Sequence, residues 1–240
     1  MWKLFFLCSI LMFAGQTQAE PAPFRAVYKA DYKGLPVSAV GVRELTRLDN
    51  NQYRLTSSAK TFFASIVEET TFAFEENAPK PINYQYKRSG IGKNKNVDMT
   101  FDWNNNTVAD LEDPDEWQLD LTPGMLDKLL YQFKMRGDLQ RASESEGEWP
   151  DMTYQIADNG RLKTYDFKVT GTEAIETPVG TIETVKAIRV RDNKDRSTTF
   201  WMAPDYDFML VRLLQVEKNG EGFELLLKEA EYDGKRVQGN

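Results

Sequence analysis

The 240-residue chain has one cysteine and no histidine, which excludes histidine bases, Ser-His and Cys-His nucleophile pairs and histidine-ligated zinc. Charged residues make up 28% and hydrophobic ones 41%, the balance of a folded domain. The net charge of −7 argues against nucleic acid as a partner, because phosphate binding needs surplus Lys and Arg.

Residues 1–19 read as a secretory signal peptide. Lys3 supplies the positive start, Leu4 to Ala14 the apolar run, and Thr17-Gln18-Ala19 the small residues of a cleavage site after Ala19. The run is shorter than the roughly twenty apolar residues that span a bilayer. Cys8 lies inside this segment, so the expected mature chain, residues 20–240, has neither Cys nor His. The expectation is export to an extracytoplasmic space, the periplasm of a Gram-negative bacterium, with no transmembrane segment in the mature chain.

From Phe24 onward the pattern has a period of two. Phe24, Ala26, Tyr28, Ala30 and Tyr32 share one face of a predicted strand, with Arg25, Lys29, Asp31 and Lys33 opposite. Extended segments follow at Val37–Leu48, Tyr53–Ser58, Ile66–Glu75, Ile82–Tyr86 and Val97–Trp103, then at Thr107–Leu111 and Trp117–Leu121. One helix interrupts them. Thr122 is the expected N-cap, Pro123 the first helical residue, and Met125, Leu126, Leu129, Leu130 and Phe133 form one apolar stripe ending near Arg136 and Gly137. Leu139–Ala142 adds at most another turn, and Ser143–Pro150 reads as a polar connection.

Strands then resume at Met152–Ile156, Leu162–Glu176, Thr181–Arg191, Ser197–Met202, Phe208–Glu217 and Phe223–Tyr232. Asn159-Gly160 and Asn219-Gly220 supply hairpin signals. Turn signals at short intervals, without helical crossovers, predict antiparallel connections. The expected fold is mainly β: a single strongly curved antiparallel sheet, a barrel or half-barrel of about twelve strands, with the helix packing on it or plugging an end. A division into two domains near Ser143–Pro150 is the alternative.

Several motifs carry a family resemblance. They are Thr177-Pro178-Val179-Gly180, Thr199-Phe200-Trp201-Met202-Ala203-Pro204-Asp205, Phe101-Asp102-Trp103, Leu129-Leu130-Tyr131-Gln132 and the early Tyr28, Tyr32 and Gly34. By these, in order along nearly the whole mature chain, the protein resembles the exported bacterial domain-of-unknown-function family 3108. The resemblance implies a β-rich envelope protein and brings no established catalytic residues.

Tyr84, Tyr86, Phe101, Trp103, Tyr131, Phe133 and Trp201 are candidate ligand-binding residues, since aromatic side chains on strand faces line the cavities of ligand-holding barrels. Packing into a solid core is the competing reading. The apolar run Phe208–Leu214 fits a strand covered on both faces, or a face offered to a lipid or partner. Asp110, Glu112, Asp113, Asp115 and Glu116 lack the spacing of a calcium loop and read as a solvated turn. Lys87, Arg88, Lys93 and Lys95, and Arg189, Arg191, Lys194 and Arg196, read as ordinary solvated charges, with anionic lipid head groups as the alternative partner. Glu68, Glu69, Asp102 and Asp205 are the acids on which a glycan hydrolase would draw. The expected function is a non-enzymatic periplasmic binding or carrier protein for a hydrophobic or amphipathic envelope molecule, without metal or cofactor. An envelope protein-interaction module and a carboxylate-based glycan hydrolase are the alternatives.

Overall fold

A computed structural model describes residues 20–33, 38–62, 64–90, 94–113, 116–145, 147–192 and 195–240. The expected signal peptide and Cys8 lie outside the described residues.

Eight strands form the first meander: β1 (Phe24–Lys33), β2 (Ser38–Arg47), β3 (Gln52–Lys60), β4 (Ala64–Glu75), β5 (Ala78–Gly90), β6 (Lys95–Asp102), β7 (Thr107–Asp110) and β8 (Gln118–Asp120). After α1 (Leu130–Ser143) the second meander contains β9 (Met152–Ala157), β10 (Leu162–Thr177), β11 (Gly180–Val190), β12 (Arg196–Ala203), β13 (Met209–Glu217) and β14 (Gly222–Tyr232). A two-residue strand, β15 (Lys235–Arg236), pairs with β14. β1 lies between β2 and β14 and so joins the meanders into one sheet, antiparallel throughout. The sheet thus runs on both sides of the Ser143–Pro150 connection. Among the described residues fifteen strands pair, more than the expected twelve, because pieces as short as β8 and β15 still join the ladder.

The sheet curls into an almost closed barrel whose edge strands, β8 and β9, face each other across a seam. Leu126 spans part of it in a parallel bridge with Ile156. Its N–H donates to the Gln155 carbonyl at 2.9 Å and its carbonyl accepts from Ala157 at 2.8 Å, which covers backbone groups that a bare edge would leave open. At the β9–β10 turn Asn159 and Gly160 both take positive φ, 49° and 73°, as the Asn-Gly pair predicts.

The helix begins eight residues after the expected N-cap, Thr122. Leu126 is committed to the seam, so the apolar run cannot wind up from Pro123. Asp127 supplies the local stop and start: its Oδ1 accepts the N–H groups of Leu129 and Leu130, each at 2.8 Å. The helix also passes through Gly137 and ends at Ser143, because Leu139 still has a buried place to fill.

α1 fills one end of the barrel. Phe133 packs on Phe72 and Phe74, with ring centroids 5.1 and 6.3 Å away. Tyr131 stacks on Phe167 at 5.5 Å and meets Tyr165 edge-on at 5.3 Å. Each such ring taken from water contributes about 1.5–3 kcal/mol, with further gains from tilted and edge-to-face geometry. The apolar run at the start of β13 is covered on both faces: Phe208, Met209, Leu210, Val211 and Leu213 are all buried. No helix among the described residues is long and apolar enough to cross a membrane.

Candidate functional site

The seven aromatic candidates do not form one surface. Tyr84, Phe101, Tyr131 and Phe133 are buried, whereas Tyr86 and Trp103 are half-buried at the margin of the core. Trp103 donates to the Pro81 carbonyl at 2.8 Å and lies under the Lys80 ammonium. Trp201 is also buried but on the outer face, covered by its register partners Lys186 and Arg212, and its indole N–H donates to Glu173 at 2.9 Å. Neighbouring Phe200 points inward to Phe167. Of the seven, Tyr84, Tyr86, Tyr131 and Phe133 border the polar interior described next.

Antiparallel register identifies which polar residues share the inward face. Arg43 lies opposite Ala26 on β1 and Ser57 on β3, Arg189 opposite Phe167, and Arg191 continues that face to Thr198. Arg136 joins them from α1. Arg43 is only 7% exposed and donates to the side-chain oxygen of Gln132 at 2.6 Å. Arg189 lies over the Tyr165 ring at 3.3 Å, and its Nε is buried without a partner. Arg191 is held by the Arg196 carbonyl and the Thr198 hydroxyl. Arg136 stacks on Phe24, donates to the Asp207 carbonyl at 2.9 Å and leaves Nη1 buried and unpartnered.

Four other arginines differ. On the outer face Arg54 pairs with Glu69 and Arg212 with Glu224, and at the rims of the barrel Arg47 pairs with Glu20 and Arg196 with Glu217. Among the described residues no carboxylate ion pair forms at Arg43, Arg136, Arg189 or Arg191; their partners are carbonyls, an amide, a hydroxyl and rings. Burial holds the Arg136 and Arg191 guanidiniums below their ordinary range, and neighbouring arginines push the same way.

Tyr131, at the start of α1, lies among these groups. Burial pushes its phenol well above the ordinary range; Tyr165 and Glu68 act in the same direction, while Arg189 and Arg43 oppose it. Glu68 is the acid that faces this cluster, and it accepts the Tyr84 hydroxyl at 2.5 Å. Behind it, Asp127 is fully buried and accepts the Thr70 hydroxyl at 2.7 Å besides its two backbone bonds. Desolvation raises the Asp127 carboxyl to about 6, against the lowering effect of those hydrogen bonds.

The other proposed acids are scattered. Glu69 pairs outward with Arg54, and Asp102 accepts N–H groups of Asn104 and Asn105 in its own turn. Asp205 is exposed in a short 3-10 helix, Pro204–Tyr206. Asp110 of the acidic run likewise accepts N–H groups of Glu112 and Asp113.

Two spaces frame the cluster. A cavity of about 20 Å³, bordered by Tyr28, Arg43, Gln132, Phe133, Arg136 and Met202, has room for about one water molecule and none for an acyl chain. At the opposite end of the barrel, near Lys60, Ala64, Glu217 and Gly222, the inward residues lose their cover. Ile66 is 39% exposed, and Ala59, Phe223 and Leu225 are half-buried. Outside the barrel, a groove of about 670 Å³ runs past Arg25, Glu44, Arg47, Glu229, Glu231 and Arg236.

Sequence reasoning placed Arg189 and Arg191 among solvated charges and overlooked Arg43, Arg136 and Asp127. Asp127 had a local signal, a capping residue type two and three positions before the N–H groups that it holds. The inward arginines had none, since their place follows from register between distant strands.

Comparison with known proteins places the fold in context. The model of the family described as "Protein of unknown function (DUF3108)" matches residues 27–228. The crystal structure of a beta-barrel-like protein of the domain of unknown function DUF1849 from Brucella abortus is similar, with a TM-score of 0.58 at 13% identity, covering 90% of this chain and 99% of that one. A putative lipoprotein from Parabacteroides distasonis aligns at a TM-score of 0.33 and 14% identity, covering 88% of this chain and 96% of that one. Comparison with curated proteins gives no match.

Proposed function

The chain belongs to the DUF3108 family of proteins of unknown function, and we propose that it is a non-enzymatic, exported binding protein of the periplasm for an amphipathic envelope molecule. One observation carries this reading: the two ends of the barrel are finished differently. α1 and its aromatic partners fill one end, while the other leaves exposed Ile66 and half-buried Phe223 and Leu225 above an arginine-rich floor. Apolar walls with a few convergent polar groups are the usual make-up of a small-molecule site. The 20 Å³ cavity beside α1 argues against a lipid tail sunk to the closed end, so the ligand is expected at the open end.

Native mass spectrometry on protein purified from its own host without detergent tests the reading. A bound amphiphile of defined mass supports it. Ligand-free protein that also fails to bind an apolar fluorescent probe overturns it.

The outer groove favours a second reading, an envelope interaction module, because its alternating acidic and basic walls suit a polypeptide of mixed charge. A photo-crosslinker at Arg236 that captures one specific protein in intact cells, with no ligand inside the barrel, supports that reading instead.

A further inference from the structure

We propose that Arg43, Arg189 and Arg191 recognise the anionic head of a single-chain amphiphile, a carboxylate or phosphate, whose apolar chain lies along Ile66, Phe223 and Leu225. This rests on the binding-protein reading and adds the chemistry of the head group. Two sets of arginines meet opposite surroundings. Outward Arg54 and Arg212, and Arg47 and Arg196 at the rims, have carboxylate partners, whereas Arg43, Arg189 and Arg191 within the barrel meet only neutral groups. An uncompensated buried charge destabilises a fold, so a protein with surplus acid has little structural reason to turn unpaired arginines inward. Glu68 offsets part of that charge and is already engaged by Tyr84, which leaves the floor net positive.

The guanidiniums are also held in position. Arg189 lies flat on Tyr165, Arg191 is tethered at both ends of its fork, and Arg43 is braced by Gln132. A planar fork with free N–H groups suits the bidentate geometry of carboxylate and phosphate oxygens. Arg43 bonds Gln132, and Arg189 lies on the Tyr165 ring that meets Tyr131 edge-on, so both guanidiniums lie beside consecutive residues at the start of α1. There the Tyr131 hydroxyl is a further donor. Ile66 and Leu225 continue the same inward faces toward the open end, on the path an alkyl chain would take.

Isothermal titration of the folded protein with dodecanoate, dodecyl phosphate, dodecanol and dodecylammonium, each below its micelle concentration, tests the proposal. Dodecanoate and dodecyl phosphate are expected to bind at least about tenfold more tightly than dodecanol, and dodecylammonium most weakly. The tighter anion identifies the head as carboxylate or phosphate. Arg189→Leu and Arg43→Leu are each expected to lower anion affinity about tenfold and to leave dodecanol binding unchanged. Should Arg43→Leu fail to fold by circular dichroism, Arg191→Leu provides the second comparison. Equal affinity for dodecanol and dodecanoate, or anion binding unaffected by the arginine variants, overturns the head-group site and leaves the binding-protein reading standing. Absence of binding by all four probes overturns both.

Discussion

The two ends of the barrel use the same strands for different purposes. Where α1 enters, inward positions carry large rings that interlock: Tyr53 on Phe72, Phe72 on Phe133, Tyr131 on Phe167. A few residues further along, β3 and β4 present Ser57, Ala59, Glu68 and Ile66 on the inward face, and burial falls away. Side-chain volume, and not strand pairing, therefore divides the molecule into a packed half and a more open half. The interlocked rings of the packed half are expected to carry most of the stability.

Unfolding in urea separates the halves most sharply through Phe167, which is fully buried among Tyr131, Tyr154 and Phe200. Phe167→Ala is expected to destabilise by about 3–5 kcal/mol. Asp127→Ala removes three hydrogen bonds at the start of α1 and is expected to cost about 2–3 kcal/mol, with Asp127→Asn milder because its carbonyl oxygen still accepts the two N–H groups.

The same residue sets a pH dependence. Its folded-state carboxyl is raised to about 6 from an ordinary 3.8, so the folded state binds the proton more tightly than the unfolded one. Its contribution is fully present below about pH 4 and is lost as pH rises through 6, with a slope on the order of 1.4 kcal/mol per pH unit between those values. Urea midpoints between pH 4 and 7 should fall accordingly in the wild type and lose this dependence in Asp127→Asn.

The inward arginines and the open end should respond differently. Arg189→Leu replaces an unpaired inward charge with an apolar side chain and is expected to raise stability by about 1 kcal/mol, read as a higher urea midpoint. A loss above about 2 kcal/mol would instead make this arginine part of the packed framework and erase the contrast. Ile66→Ala, 39% exposed at the open end, is expected to change stability by less than about 1 kcal/mol.

Strand alternation made most of the fold legible, including the antiparallel order and the Asn159-Gly160 hairpin. It misplaced the helix because Thr122-Pro123 and an apolar stripe look like a helix start, while the pairing of Leu126 with Ile156 is invisible locally. The site was less legible for a related reason. In β2, a hydropathy reading alone would bury Val40 and Val42, yet register turns Gly41, Arg43 and Leu45 inward and leaves Val40 51% exposed. The aromatic candidates located the core. The arginines among them could be found only by tracing each strand to its neighbours.

The pairing of β1 with β14 also orders events in time. The earliest strand of the sheet cannot satisfy its second edge until almost the whole chain is available, since Phe24 pairs with Tyr232. Contacts so distant in sequence slow folding and leave an unpaired edge exposed while the chain waits. A chain emerging N-terminus first would remain an open meander, prone to edge-to-edge association, until β13 and β14 arrive to close it.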